Sequence, residues 1–210
     1  MKIIDGIRHK GSPFEIPDCS RVDLPEFFKE MGYKVGAEIG VYKGNFSRKL
    51  CQAGLKVYAI DCWTPYPGFD RMEISRIERQ EYLYHRARQL LSRYKNATVI
   101  RKTSMEALKD FKDESLDFVY IDANHILKYV IEDIDGWSKK IRKGGVISGH
   151  DYTHPSRFRK RANAWEQVHV VFAVDAYTKA YRIKNWYVLG SRRAKPGEKR
   201  EMYRSWFWIK

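Results

Sequence analysis

The sequence predicts an α/β fold: one doubly wound sheet, mostly parallel, with helices on both faces and a C-terminal antiparallel hairpin. Three observations predict it. Short apolar runs alternate with segments of helical periodicity for five cycles, the pattern of a parallel sheet covered on both sides. Each run ends on a polar or acidic group. A glycine turn, Glu38-Ile39-Gly40-Val41-Tyr42-Lys43-Gly44, joins the first run to the helix after it.

The elements follow in order. Residues up to about Asp23, with Pro13 and Pro17, read as irregular. Asp23 is placed to cap a short helix with Pro25 in its first turn. Leu24, Phe27, Phe28 and Met31 make its apolar face, and Gly32 stops it. A strand spans 35–41, a helix 45–53 ends at Gly54, and a strand spans 56–60. The turn-rich loop Trp63-Thr64-Pro65-Tyr66-Pro67-Gly68 leads to a long polar helix, about Phe69–Tyr94, with Leu83, Ala87, Leu90, Leu91 and Tyr94 at helical spacing. A strand at 97–101 and a short helix from Ser104 come next.

Strand 116–121 runs into Asp122. Ile126, Val130, Ile134, Trp137 and Ile141 then recur at helical steps. Lys139, Lys140, Arg142 and Lys143 crowd the end of that helix, where its dipole favours cations, and Gly144-Gly145 closes it. Strand 145–149 runs into His150-Asp151. A helix around Ala164–Ala180 and two aromatic strands, about Asn185–Gly190 and Tyr203–Ile209, complete the chain as a hairpin at the sheet edge. The expected organisation is a single domain, 1–210: an N-terminal segment 1–32, a ligand-binding core 33–190, and an edge strand within 191–210.

An apolar fraction of 43% in 210 residues suffices for one well-cored domain. No stretch of 18 apolar residues predicts a membrane span, and Met1–Gly6 has no signal-peptide core. Cys19, Cys51 and Cys62 are odd in number and form no Cys-x-x-Cys pair, which argues against a disulfide framework and a zinc knuckle. A reduced, cytoplasmic setting follows. The formal charge of +14 would attract nucleic acid or phosphorylated and carboxylated substrates, and it equally describes a solvated basic surface. Its densest runs are Arg157-Phe158-Arg159-Lys160-Arg161, Arg192-Arg193-Ala194-Lys195 and Lys199-Arg200.

In an open parallel sheet, ligands bind outside the carboxyl ends of the strands. Those ends present Glu38 and Gly40, Asp61, Thr103-Ser104, Asp122 with His125, and His150-Asp151. The turn itself reads Glu-x-Gly-x-x-x-Gly. The dinucleotide fingerprint is Gly-x-Gly-x-x-Gly, so an NAD-dependent oxidoreductase is disfavoured and the turn alone leaves the nucleoside ligand open.

Four motifs in order resemble those of class I S-adenosylmethionine-dependent methyltransferases: Ala37–Gly44, Ala59-Ile60-Asp61-Cys62-Trp63, Phe118–His125 and Gly144–Tyr152. The resemblance covers about residues 33–190 and implies a Rossmann-like fold. Within that class the chain is most similar to small-molecule O-methyltransferases of the catechol O-methyltransferase type and to relatives in sugar and antibiotic biosynthesis clusters. It implies that Gly40–Gly44 holds the methionine part of S-adenosylmethionine and that Glu38 orients the turn or meets the cofactor ammonium. Asp61 would accept both ribose hydroxyls. Trp63 would stack on or shield the adenine, or pack in the core, and Ser104 and Met105 would contact the adenine ring.

The resemblance also implies chemistry at Asp122, His125 and His150-Asp151. Asp122, beside the cofactor, and Asp151 match family ligands of a divalent metal, magnesium or manganese. His125 matches the general base of some members, a task that suits an imidazole with a pKa near about 6.5. His150 stands where the catechol type has an acid. It either points away, acts as a base itself, or joins the ligands of a softer metal such as manganese, iron or zinc. The loops Pro65–Asp70 and Tyr152–Arg161 would form the acceptor side, where His154, Arg157 and Arg159 meet an anionic group or simply face water.

The expected reaction is O-methylation of a sugar, polyketide or phenolic hydroxyl. The expected partners are this small molecule and a second copy of the chain in a homodimer, with no membrane. A nucleic-acid methyltransferase is the second reading. Base-modifying enzymes carry Asn/Asp-Pro-Pro-aromatic where this chain has Asp122-Ala123-Asn124-His125, and no Pro-Cys pair is present, which leaves ribose 2′-O-methylation. Retention of Asp122, His125 and Asp151 argues against an inactive cofactor-binding relative.

Overall fold

The computed structural model describes residues 1–65, 76–157 and 167–210. Eight strands form one sheet. They are β1 (Phe14–Ile16), β2 (Val35–Ile39), β3 (Lys56–Asp61), β4 (Ala97–Arg101), β5 (Leu116–Ile121), β6 (Ile141–Gly149), β7 (Trp186–Leu189) and β8 (Trp206–Ile209), in the order β1-β7-β8-β6-β5-β2-β3-β4. Every neighbouring pair is parallel except those made by β8, which runs antiparallel to both β6 and β7.

Helices α1 (Ile3–Gly6), α2 (Leu24–Glu30), α3 (Asn45–Gln52) and α4 (Ile77–Leu91) cover one face, and α5 (Ser104–Ala107), α6 (Leu127–Lys140) and α7 (Val170–Ala180) cover the other. The chain winds outward from β2 to β4 and then, through β5, outward the other way. The strand order therefore reverses between β2 and β5, the place where such sheets hold their ligands. Here Asp122 N–H donates to Ile39 O at 2.7 Å, and Gly40 N–H donates to Ile60 O at 2.9 Å.

Four expectations are corrected. The N-terminal segment is not irregular: it forms α1 and adds β1 beside β7, with Phe14 opposite Tyr187. Three residues between Pro13 and Pro17 are too few for a period of two to show. Asp23 does not cap α2 with its side chain. It closes a capping box one turn earlier, accepting Ser20 N–H at 2.8 Å. Ile141 lies not in the helix but at the start of β6, opposite Leu116. It is buried in either role, so helical spacing could not separate them. A register shift between Leu116 and Phe118, with Gly144 at φ +77°, absorbs the residues that resemble a helix stop.

The last correction concerns the hairpin. It forms, but β8 sits between β6 and β7 and the edge strand is β1. Trp206, Phe207 and Trp208 are all buried, and a strand apolar on both faces belongs inside a sheet. The long polar helix and the helix around Ala164–Ala180 start at Ile77 and Val170, since Arg76, Val168 and His169 are not helical; residues 66–75 and 158–166 lie outside the described residues. Among the described residues, no helix is long and apolar enough to cross a membrane.

Candidate active site

A cavity of about 670 Å³ opens at the carboxyl ends of β2, β3, β4, β5 and β6. Glu38, Gly40, Asp61, Ser104, Met105, Asp122, His125, His150 and Asp151, all expected from the sequence, line it. Trp63 does not.

The glycine turn is built around two carboxylates. Asp61 Oδ2 accepts the N–H groups of Val41 and Tyr42, both at 2.9 Å, and Oδ1 accepts that of Trp63 at 2.9 Å. Burial raises the Asp61 pKa, opposed by these backbone bonds. Gly44 (φ +78°) then starts α3, and Ser47 from its first turn donates to the Glu38 carboxyl. That bond ties β2 to α3 across the turn. Burial pushes Glu38 up to about 8, with the Ser47 bond acting against it.

Trp63 packs instead in the core under α4, with its ring 5.1 Å from that of Tyr84 and its Nε1–H donating to Tyr42 O at 3.0 Å. It braces the turn from behind. With φ of +44°, and with Tyr42 at +54° and Asp151 at +57°, it is, among the described residues, one of three non-glycine residues in the left-handed region beside the cavity. Strained backbone of this kind clusters at functional sites.

On the β4 side, the Ser104 hydroxyl donates to Asp133 and accepts Trp137 Nε1–H at 2.8 Å. Ser104 is thus engaged within the protein, and Asp133 also lines the cavity. Burial pushes Asp133 up to about 7, against the Ser104 bond. The sequence reading missed Asp133, although an acid on the apolar stripe of α6, between Val130 and Trp137, was a visible signal. Gln80, on the Leu83-Ala87-Leu91 stripe of α4, carried the same signal and also reaches the cavity.

Asp133 has a measurable consequence. The unfolded chain releases this proton near 3.8, whereas the folded protein keeps it up to about 7. Folded protein binds more protons in that window, so stability falls as pH rises through it and is flat above. Asp133→Asn removes the dependence. Its melting temperature is expected to gain on the wild type from pH 4 to 7, on the order of 5–10 °C for about 2–4 kcal/mol. Parallel curves for the two proteins would show that Asp133 does not hold a raised pKa.

The acids and histidines at the ends of β5 and β6 converge. His125 Nε2 lies 2.9 Å from Asp151 Oδ2 and 3.6 Å from Asp122 Oδ1. His150 Nδ1 lies 3.6 Å from Asp122 Oδ2 and 3.5 Å from Asp151 Oδ1. Burial works against a charge on His125, but Asp151 and Asp122 outweigh it and lift the imidazole to about 10. Between two carboxylates, and with no cation bound, the His125 imidazole is a stronger base than an ordinary one. Among the described residues, the group whose ligand atoms lie within 4.8 Å of one another is Asp122, His125 and Asp151. It takes His125 where the sequence reading placed His150. Two carboxylate oxygens and one imidazole nitrogen fit a borderline divalent cation.

Arg21 reaches the same acids, with Nη1 3.3 Å from Asp122 Oδ2, and no local pattern in the sequence announced it. Tyr203, from the segment between β7 and β8, also lines the cavity. His154 and Arg157 are exposed and lie away from it. Arg159 and most of the Pro65–Asp70 loop lie outside the described residues.

The comparisons with known proteins agree with this geometry. The uncharacterized protein y4gI of Sinorhizobium fredii (strain NBRC 101917 / NGR234) is 29% identical over 123 residues, which are 54% of this chain and 12% of that protein. The chain thus spans a small part of that relative's length. An O-methyltransferase from Bacillus cereus, solved in complex with SAH, superposes with a TM-score of 0.61 at 16% identity, over 90% of this chain and 80% of that one. The O-methyltransferase TomG from Streptomyces achromogenes, involved in tomaymycin synthesis and solved with SAM, gives a TM-score of 0.61 at 13% identity, over 90% and 78%. At such identities these structures show the shared fold. The family model for a methyltransferase domain matches residues 37–152, which span the glycine turn, Asp61 and the whole acid–histidine cluster, and the chain belongs to that methyltransferase family.

Proposed function

We propose that this chain transfers a methyl group from S-adenosylmethionine to a hydroxyl oxygen of a small molecule. The observation that carries the reading is the placement of two constellations in one cavity: the turn held by Asp61, and the cluster of Asp122, His125, His150 and Asp151. The cavity lies in the size range of small-ligand sites, about 300–1,000 Å³. Likeness to O-methyltransferases solved with SAH and SAM supports the same cofactor.

In this reading, Asp61 keeps lone pairs for the ribose hydroxyls while its backbone bonds fix their direction. Glu38 faces the amino-acid end, where a neighbouring ammonium favours its ionised form. Asp133, which lines the cavity together with Ser104 and Met105, accepts the adenine amine. Asp122, His125 and Asp151 would hold a divalent cation, which when bound would polarise the acceptor oxygen.

Methyl transfer is an in-line displacement, so the protein's tasks are to aim the oxygen and remove its proton. With a proton on His150 Nδ1 facing both carboxylates, Nε2 is left to accept one. His150 is thus the base of this reading. With no cation bound, protonated His125 fixes Asp151 and Asp122 opposite it; a cation held there would displace its Nε2 proton.

Calorimetric titration with S-adenosylhomocysteine tests the reading. Binding in the micromolar range, about −8 kcal/mol, is expected. No heat and no binding would sink it. His150→Gln is expected to lower methyl transfer from labelled S-adenosylmethionine to sugar or phenolic acceptors by about 100- to 10,000-fold. Its affinity for S-adenosylhomocysteine should be unchanged. The formal charge of +14 supports a second acceptor, the ribose 2′-hydroxyl of RNA. Salt-sensitive RNA binding at physiological ionic strength would favour it.

A further inference from the structure

The acid cluster already contains a cation supplied by the protein. Arg21 belongs to a short 3₁₀ turn, Arg21–Asp23, ahead of α2, and its guanidinium lies 3.3 Å from Asp122 Oδ2. That turn is pinned from both sides. The Asp23 carboxylate accepts Ser20 N–H at 2.8 Å and takes Lys199 Nζ at 3.2 Å, which anchors it to the segment between β7 and β8. The buried Tyr120 hydroxyl and the Glu201 carboxylate act on the Arg21 charge from the protein side. The guanidinium therefore reaches Asp122 from a held turn, with its side chain partly exposed.

Asp122 divides its oxygens accordingly. Oδ1 faces His125, and Oδ2 faces Arg21 at 3.3 Å with His150 behind it at 3.6 Å. Asp122 is also a member of the group able to ligate a metal. A guanidinium stays charged at any working pH, and like charges in a partly dehydrated site repel strongly. A divalent ion entering at Asp122 meets a fixed positive charge within contact range of one of its own ligands.

We propose that Arg21 is an internal counter-ion that competes with a divalent metal for Asp122 and so sets the metal affinity of the Asp122–His125–Asp151 group. It is a positioning residue: in the absence of metal it holds Asp122 aimed at the acceptor side of the cavity. The proposal rests on the methyltransferase reading of this cavity.

The test is calorimetric titration of manganese chloride into the wild type, Arg21→Ala, Arg21→Met, Arg21→Lys and Asp122→Asn, each with and without saturating S-adenosylhomocysteine. The wild type is expected to bind manganese with a Kd of about 1 mM or weaker. Arg21→Ala and Arg21→Met should bind at least about tenfold tighter, and Arg21→Lys should stay near the wild type. Asp122→Asn should lose the site. Arg21→Met keeps an apolar stem in the protein, so it carries the comparison if truncation to Ala unfolds the turn.

Equal or weaker manganese binding by both charge-removing variants, or no manganese binding by any protein, overturns the proposal. Failure of the wild type to bind S-adenosylhomocysteine overturns the methyltransferase reading instead. The metal titration without S-adenosylhomocysteine keeps the two outcomes distinct.

Discussion

Gly40→Ala is expected to lower the melting temperature by roughly 5–15 °C, for a cost of about 2–5 kcal/mol, and to abolish S-adenosylhomocysteine binding. Two effects add. Gly40 sits at φ +88°, where a side chain is strained. A Cβ there would also overlap Asp122 O and come within 2.7 Å of Ala123 Cα. Both are backbone atoms, which cannot rotate away. Relief would require β2 and β5 to part at the Asp122 N–H bond to Ile39 O, and Asp122 would move with them. Gly54→Ala is the control. Its φ of +90° imposes the same strain, but nothing lies within 4 Å of the added carbon. It should cost only about 1–2 kcal/mol. Equal losses in the two variants would show that the close approach at the β2–β5 junction is not what Gly40 serves.

Asp61→Ala should weaken S-adenosylhomocysteine binding by about 100-fold or more while the protein stays folded. Two charge-assisted hydrogen bonds to ribose at about 1.5–3 kcal/mol each support that magnitude. The substitution also deprives Val41, Tyr42 and Trp63 of their N–H acceptor, so the turn loosens and melting falls by a few degrees. Both effects are read in the same samples, by calorimetry and thermal unfolding. An affinity within threefold of the wild type would remove Asp61 from the nucleoside site.

The parts of this protein that the sequence reveals are those governed by short-range periodicity. The runs of β2, β3 and β5 end near where they were expected because each apolar stretch meets a turn residue with a left-handed backbone or an acid. The glycine turn, Asp61 and the four acids and histidines at the ends of β5 and β6 are legible for the same reason: they follow directly on strands, and strand ends in a parallel sheet point one way. β1 escaped notice because a three-residue strand has no period. The junction of α6 and β6 escaped notice because Ile141 is apolar in either role.

What the sequence by itself determines is the alternation of strands and helices and the set of polar groups delivered to one end of the sheet. Tertiary structure alone decides how those groups face one another. Trp63, one residue past Cys62 on the cavity wall, turns into the core because its backbone is left-handed and its indole fits under α4. His125 gains its raised basicity because Asp122 and Asp151, at the ends of two strands, close on it. Asp133 gains its raised pKa from burial against Ser104, and Arg21 arrives from 101 residues away. Charge state and catalytic competence depend on distances of a few ångströms between residues far apart in the chain, and no local pattern encodes such distances.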